Sequence, residues 1–282
     1  MEAVALALVS ALLFGGMSVA LRMALQRDPD VALATLATSA TALLVALVAA
    51  TSEDPARGLH LGSAWPFLLA GLLSPGLAQI LVTIAIRDSG SSRVSMIFGM
   101  APLVSVTIAL LILGEPVRVP LIAGAVLVVV GGILLARERD RPEHLNRLGL
   151  VFAFAGATLF AIRDNLVRHL AVGRTPVPPA VAAAAALLGG TVLVAAWARE
   201  GVGRRWLPFV PAGLLFGGSY VSLFEAYYRG RVTVVAPLVA VESLAGVGLS
   251  VLFLRHSELV GKRLVYGAAL IVAGGALIGA FR

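Results

Sequence analysis

Apolar residues fill this chain in long stretches, and polar residues gather in short gaps between them. A helix that crosses the hydrocarbon core of a bilayer needs about 20 apolar residues. Ten stretches reach this length, at approximately 3–25, 31–51, 64–86, 94–113, 118–136, 148–170, 178–198, 207–228, 232–254 and 260–281. Because they lack the period-two alternation of barrel strands, the pattern predicts an all-α membrane protein with ten transmembrane helices.

Composition supports lipid as the solvent of these helices. Hydrophobic residues make up 59% of the chain and charged residues 13%, whereas soluble domains carry about 25% charged residues. The net charge of +7 comes almost entirely from arginine in the gaps, a placement that suits lipid headgroups rather than nucleic acid. We therefore expect the lipid bilayer as a partner and no nucleic acid.

The motifs of common catalytic and ATP-driven sites are absent. There is no G-x-x-x-x-G-K-[ST] segment for phosphate binding, no H-E-x-x-H, and no cysteine. The four histidines fall in gaps or at the ends of the predicted spans, at positions 60, 144, 169 and 256. We expect no enzyme activity, no metal and no cofactor. An intramembrane enzyme and a channel stay open as alternatives of a different class.

The two halves of the chain resemble each other, which indicates an internal repeat. The matched pairs, in chain order, are Phe14 with Phe160, Arg22 with Arg168, Trp65 with Trp206, Ala85 with Ala226, Glu115 with Glu258, Gly124 with Gly267, and Gly131-Gly132 with Gly274-Gly275. We assign the first five-helix repeat to 1–140 and the second to 147–282. Because five is odd, the second repeat enters the membrane from the opposite side. The result is an inverted repeat, an architecture that recurs in secondary transporters.

Several short motifs carry a family resemblance over nearly the whole chain. They are the Gly114-Glu115 ending of the fourth helix, the glycine-rich fifth helix, Phe14-Gly15 in place of Trp-Gly, and a divided Glu-Pro made of Pro102 and Glu242, with Ala101 and Ser243 as the departures. The chain thereby resembles the drug/metabolite transporter superfamily, in its ten-helix EamA branch. The resemblance implies alternating-access export or exchange of amino acids or related metabolites, as in the YddG-type exporters. It also implies a multi-pass protein of the bacterial cytoplasmic (inner) membrane.

Charged residues inside a span are costly and usually paired or functional. Arg163 and Asp164 lie in the sixth predicted helix and Glu242 near the middle of the ninth. At 1.5 Å rise per residue, Arg163 lies about 10 Å before the end of its helix and Glu242 about 15 Å after the start of its own. Two hypotheses follow from this similar depth. Arg163, with Glu242 or Asp164, binds the carboxylate and ammonium of a zwitterion, or an internal ion pair orients the two helices.

Other polar and adaptable side chains are candidates to line the same site. They are Met17, Ser18, Gln79, Met96, Met100, Tyr220 and Tyr227. Methionine and aromatic side chains suit the recognition of apolar substrates, although ordinary helix packing is the alternative for each one. The expected partner is a small-molecule substrate, an uncharged or aromatic amino acid, with sugars, nucleosides and cationic drugs as alternatives. A monomer is the working hypothesis for the number of subunits.

The charge distribution and the resemblance disagree about orientation. The side of the membrane opposite the termini holds 14 of the 22 Lys and Arg residues. The positive-inside rule therefore favours both termini outside, whereas the resemblance implies both termini in the cytoplasm. Both orientations stay open.

Overall fold

A computed structural model describes residues 2–53, 61–112, 119–136, 147–172, 177–198, 204–254 and 262–280. Within these ranges the chain is all-helical and has no strand. The helices are α1 (Glu2–Arg27), α2 (Val31–Thr51), α3 (Trp65–Gly71), α4 (Ala78–Ser89), α5 (Ser91–Phe98), α6 (Ala101–Ile112), α7 (Val119–Ala136), α8 (Arg147–Val172), α9 (Pro179–Ala198), α10 (Val210–Arg229), α11 (Val232–Val239), α12 (Val241–Phe253) and α13 (Lys262–Ala280). Two short 3-10 segments precede α3 and α10, at Leu61–Ser63 and Arg204–Phe209.

Seven helical stretches in the described part of the chain are long and apolar enough to cross a membrane. They are Glu2–Arg27, Val31–Thr51, Trp65–Ser89, Arg147–Ala171, Pro179–Ala198, Arg205–Arg229 and Val234–Phe253. The prediction of transmembrane helices is confirmed for these seven. The other three predicted spans contain α5 with α6, α7 and α13, so ten spans stay a prediction. Glu115, Glu258 and the charged segment 137–146 lie outside the described residues.

Short polar signals set the ends of the helices. The Asp30 carboxylate accepts a hydrogen bond of 3.0 Å from the Leu33 amide and caps the N-terminus of α2, as aspartate does at this position. Gly90 separates α4 from α5 with φ of 84°. Only glycine adopts such a backbone without strain, so the chain turns here between two spans.

Three of the predicted spans are interrupted rather than continuous. Between α3 and α4 the chain forms a π-helical turn, Leu72–Leu77, in which Ser74 has extended backbone angles and Pro75 follows it through a cis peptide bond. Breaks at Gly99–Met100 and at Ala240 separate α5 from α6 and α11 from α12. Proline lacks the amide that would continue a helix, and the other two breaks also have a proline nearby, Pro102 after Gly99–Met100 and Pro237 before Ala240. Irregular backbone at membrane depth is tolerated where it is buried in protein or lines a cavity.

The helices of one half pack mainly against helices of the other half. α1 packs against α10 and α12, and α8 packs against α4, α5 and α6; α2 contacts α9, and α7 contacts α13. Ion pairs at the helix ends give the relative directions. Arg205, just before α10, pairs with Asp28 after the end of α1, whereas Arg229 at the end of α10 pairs with Glu2 at the start of α1. α1 and α10 therefore run antiparallel.

Glycines bring α7 and α13 into direct backbone contact. A Cβ at Gly131 would lie 2.6 Å from the carbonyl oxygen of Gly267, and a Cβ at Gly267 would lie 2.9 Å from the carbonyl oxygen of Gly131. Farther along the same two helices, Gly274 meets the carbonyl of Gly124 in the same way. Small residues permit this approach in lipid, where packing drives helix association.

This packing makes Gly131→Ala a destabilising substitution. The added methyl group collides with backbone, which cannot rotate away, and we expect the free energy of unfolding to fall by about 1–3 kcal/mol. Gly248→Ala in α12 is the matched control, since nothing lies within 4 Å of a Cβ there. The control should leave the stability unchanged or raise it by up to about 1 kcal/mol. Thermal unfolding in detergent measures both, and equal stabilities would contradict the contact.

Candidate functional site

Arg163 is the cation at the centre of the helical bundle. It lies in α8 and is 3% exposed, and its Nη2 atom is 2.7 Å from Oδ1 of the neighbouring Asp164. The guanidinium also lies over aromatic rings, with its central carbon 4.6 Å from the Tyr220 ring, 5.0 Å from Phe160 and 5.8 Å from Phe224. Its Nε and Nη1 atoms have no hydrogen-bond partner within the described structure. Two donors of a buried arginine are therefore available to an acceptor.

Glu242 supplies a second buried carboxyl group beside this pair. It is 3% exposed and lies in the first turn of α12, directly after the break at Ala240. Glu242 is within electrostatic range of Asp164 and Arg163. Among the described residues, however, it forms no ion pair. The interhelical ion pair between Arg163 and Glu242, one reading of the sequence, is replaced by the pair of Arg163 with its own neighbour.

Close contact with α1 holds the first turn of α12 in place. A Cβ at Gly15 would lie 2.8 Å from the Gly246 amide nitrogen and 3.1 Å from the Glu242 carbonyl oxygen. No larger residue fits at Gly15 without moving α12. The Phe14-Gly15 motif thus positions the helix turn that carries Glu242.

Aromatic rings from four helices form one continuous cluster around the charges. Phe14 packs against Phe98, Phe160 and Phe216, at centroid distances of 5.3, 5.7 and 6.1 Å. Tyr220 joins the cluster through Phe216 at 5.4 Å. Such contacts are favourable and rigid, so the charged groups are held against an apolar, π-rich wall.

The interrupted span between α3 and α4 contributes polar groups to the same region. The Tyr220 hydroxyl donates a 2.9 Å hydrogen bond to the Ser74 carbonyl, which the break frees from the helix. Gln79 follows on α4 and is fully buried, and neither its Oε1 nor its Nε2 has a hydrogen-bond partner in the described part of the protein. An unpaired buried amide costs about 1–3 kcal/mol. Gln79 is therefore a candidate for a ligand-binding role.

The remaining predicted site residues lie in different surroundings. Tyr227 is fully buried within electrostatic range of Asp164, and its hydroxyl has no hydrogen-bond partner among the described residues, so it belongs with the charged residues. Met17 is buried in the same apolar core as Tyr220, whereas Met96 and Met100 pack in a separate cluster with Val128, Ala240, Val247, Ala268 and Ile271. Ser18 bonds back to the Phe14 carbonyl at 3.2 Å. Which of these ten side chains contact a substrate stays a prediction.

Sequence reasoning did not name three residues that the structure adds to this region. Phe216 and Phe224 flank Tyr220 at intervals of four along α10, so the three rings share one helix face. This four-residue spacing of aromatic residues was the signal in the sequence that could have identified Phe216 and Phe224. Ser74 was detectable only through Pro75 inside a predicted span.

The arrangement can bind a ligand of mixed charge. It combines a guanidinium with free donors, two carboxyl groups and an aromatic wall, and all of these are buried. If both carboxyl groups are ionised, the three groups carry one excess negative charge, which a buried site must neutralise. The ammonium group of a ligand or a proton would do so. Within the described residues, no group of three His, Cys, Asp or Glu side chains comes together as metal ligands would.

Comparisons with known proteins also indicate a transporter. The profile of the EamA-like transporter family matches this chain twice, at residues 1–137 and 147–280. An uncharacterized transporter of Clostridium kluyveri is 29% identical over 107 residues; this stretch covers 38% of the chain but only 34% of that protein. One protein of known crystal structure superposes with a TM-score of 0.70 at 22% identity, covering 98% of this chain and 95% of that one. The last similarity concerns the fold alone.

Proposed function

Because the chain belongs to the EamA-like transporter family, we propose that it is a secondary transporter of small organic metabolites that works by alternating access. The family consists of multi-pass membrane proteins that transport small molecules, within the drug/metabolite transporter superfamily. Neutral or aromatic amino acids are the substrates that we propose, and the bacterial inner membrane is the location. Neither catalysis nor a cofactor is part of the proposal.

The proposed substrate class rests on one observation: Arg163 is buried against aromatic rings, and the buried Glu242 lies within electrostatic range of it. In the complex, a free donor of Arg163 binds the carboxylate of the amino acid. Glu242, which has no ion pair of its own among the described residues, binds the ammonium group. An apolar or aromatic side chain packs against the Phe14 and Phe160 rings. Arg163 donates to acceptors in a plane, which suits a carboxylate.

The architecture that we propose is ten helices in two inverted five-helix repeats, 1–140 and 147–282. Two matches of one family profile support this division. The reciprocal contacts of α7 with α13 support a twofold relation, since Gly131 meets Gly267 while its repeat mate Gly274 meets Gly124. Helix contacts also occur in corresponding pairs, α1 with α10 and α8 with α4. Such a repeat opens a central site to one side and then to the other.

Transport by purified protein tests this function. We would reconstitute the chain into proteoliposomes and measure uptake of labelled L-phenylalanine, L-leucine, glucose, uridine and tetraphenylphosphonium, with and without a pH gradient. Saturable uptake of one or both amino acids, inhibited by other neutral amino acids, is the expected result. If the protein transports another of these solutes but neither amino acid, the proposed substrate class is refuted.

An organic cation is the second candidate substrate. The excess of carboxyl over guanidinium groups favours it, as does the aromatic wall, because cations bind the faces of aromatic rings. Uptake of tetraphenylphosphonium without uptake of amino acids would support this alternative. Arg163 would then serve to hold Asp164 rather than to bind substrate.

Gln79 offers a test in which stability and binding change in opposite directions. Gln79→Met removes a buried amide that has no partner, so we expect the free energy of unfolding to rise by about 1–3 kcal/mol. Affinity for L-phenylalanine should fall if the amide binds substrate. Thr83→Val is the control: the Thr83 hydroxyl already donates to the main-chain carbonyl oxygen of Gln79 at 2.8 Å, so its removal should not increase stability or weaken binding. Unchanged affinity in Gln79→Met would remove Gln79 from the site.

A further inference from the structure

The break between α3 and α4 leaves a carbonyl group that needs a partner from outside its own helix. Ser74 has extended backbone angles, φ of −148° and ψ of 115°, inside the turn Leu72–Leu77, and it is fully buried. A buried backbone carbonyl without a hydrogen bond is costly. The Tyr220 hydroxyl on α10 donates to this carbonyl oxygen at 2.9 Å. Tyr220 thus satisfies the acceptor that the break creates.

Close contact with α9 fixes the position of the same break. A Cβ at Gly190 would lie 2.6 Å from Cγ of Pro75 and 2.8 Å from the Gly76 amide nitrogen. Backbone that packs this closely cannot shift without moving a whole helix. The Ser74 carbonyl is therefore a firm anchor for the side chain that binds it.

The second half of the chain has no equivalent of this contact. With the offset that relates the third predicted span to the eighth, the repeat mate of Ser74 is Leu215 and that of Tyr220 is Gln79. α10 continues through Leu215 without a break. The repeated architecture therefore requires neither the break nor the tyrosine that bonds to it.

The ring of the same tyrosine holds the Arg163 guanidinium. The central guanidinium carbon lies 4.6 Å from the centre of the Tyr220 ring, closer than to the rings of Phe160 and Phe224. A ring face attracts a cation more strongly where water is excluded, and both side chains are at most 3% exposed. Phe216 and Phe224 pack against the ring at 5.4 and 5.1 Å. One side chain thus contacts both the break and the buried cation.

We propose that Tyr220 is a positioning residue of the binding site: its hydroxyl is anchored to the Ser74 carbonyl, and the anchored ring orients the Arg163 guanidinium toward the carboxylate of the ligand. The role of that carboxylate rests on the function proposed above. The single proton of the hydroxyl is already donated to the backbone, so Tyr220 does not donate to the ligand itself. Phenylalanine at this position keeps the ring but loses the anchor.

Equilibrium binding of three ligands to Tyr220→Phe gives the first test. L-Phenylalanine and 3-phenylpropionate both have a carboxylate and should bind about fivefold more weakly, the loss expected for one hydrogen bond. Phenethylamine has the ring and the ammonium group but no carboxylate, so its affinity should not change. Equal losses for all three ligands, or unchanged affinity for L-phenylalanine, would overturn the proposal.

Ser219→Ala is the matched control for the loss of a hydroxyl. Ser219 precedes Tyr220 on α10 and is 2% exposed, and its hydroxyl donates to the Ser10 carbonyl oxygen of α1 at 2.9 Å. The control therefore loses the same kind of bond, from a buried hydroxyl of α10 to the backbone of another helix. It should lower the melting temperature but leave the affinity for L-phenylalanine unchanged. A loss of affinity as large as that in Tyr220→Phe would mean that any loosening of α10 weakens binding, and would overturn the proposal.

A double-mutant cycle without ligand separates this proposal from the proposed function. If the anchor acts on Arg163, Tyr220→Phe should lower the melting temperature less in a background with Arg163→Met and Asp164→Leu than in the unchanged protein. Ser219→Ala should lower it equally in both backgrounds. Equal decreases for Tyr220→Phe overturn the positioning role, even if amino acid transport is found. The smaller decrease, in a protein that does not bind L-phenylalanine, upholds the positioning role and refutes the substrate instead.

Discussion

Arg163→Ala is expected to abolish amino acid uptake and to lower the free energy of unfolding by about 3–5 kcal/mol, because it leaves a buried carboxylate without its cation. Asp164 lies 2.7 Å from the guanidinium and has little access to solvent. Glu242 loses the same compensating charge. The rings of Tyr220 and Phe160, which contact the guanidinium, also lose a partner. Uptake into proteoliposomes and thermal unfolding in detergent measure the two effects.

A second variant separates binding from stability. In Arg163→Met with Asp164→Leu, both members of the ion pair are replaced by apolar residues of similar size. Such replacements are often neutral or stabilising, so the double variant should be more stable than Arg163→Ala, although Glu242 still lacks its compensating cation. If Arg163 binds substrate, this stable variant still does not transport. Normal uptake by the double variant would remove Arg163 from the binding site and leave the Arg163–Asp164 pair with a structural role only.

The positions of the helices were predictable because each helix that crosses a bilayer needs about 20 consecutive apolar residues. Within the described residues each predicted span contains helical structure, and Asp30 and Gly90 lie at helix ends as the pattern indicated. The breaks at Gly99 and Ala240 were missed although the sequence carries a signal for each, because glycine and proline disfavour a helix interior and Pro102 and Pro237 lie beside them. A hydrophobicity pattern shows how long an apolar segment is and that it lies in lipid, but it does not show whether the helix is continuous.

The charged part of the candidate site was predictable for a different reason. Arg163, Asp164 and Glu242 stand out because charges inside spans are rare. The choice of partner was not predictable from depth alone, since Arg163 and Glu242 lie at similar depth and yet Arg163 pairs with Asp164. The aromatic contacts of Arg163 also depend on how α8 packs against α10, which no local pattern encodes.

The internal repeat predicts which positions of the two halves correspond in the fold, but not which side chains occupy them. Phe14 and Phe160, which match in sequence, also pack against each other at 5.7 Å. Their neighbours differ, since the charged residues Arg163 and Asp164 correspond to Met17 and Ser18. The charges that we assign to substrate therefore come from the second half, while the first half supplies apolar surface and the buried amide of Gln79.

The second large expected effect concerns Glu242→Gln. Glutamine keeps the size and the burial of the side chain and removes only the negative charge. Removing one partner of a buried charge pair costs about 2–5 kcal/mol in binding, so affinity for L-phenylalanine should fall about 30-fold or more. The stability of the protein should change little, because Glu242 has no ion pair to lose among the described residues. Equilibrium binding to purified protein measures the affinity.

Two comparisons make this result specific to the ammonium group. 3-Phenylpropionate has the ring and the carboxylate of phenylalanine but no ammonium, so its affinity should not decrease in Glu242→Gln. Glu225→Gln is the control variant, since Glu225 pairs with Arg229 at the end of α10, away from Arg163, and its affinity should stay within about threefold of the starting value. An equal loss for both ligands in Glu242→Gln would mean that the substitution disturbs the site as a whole. Undiminished affinity for L-phenylalanine would remove Glu242 from the binding site and leave its burial without an explanation in substrate binding.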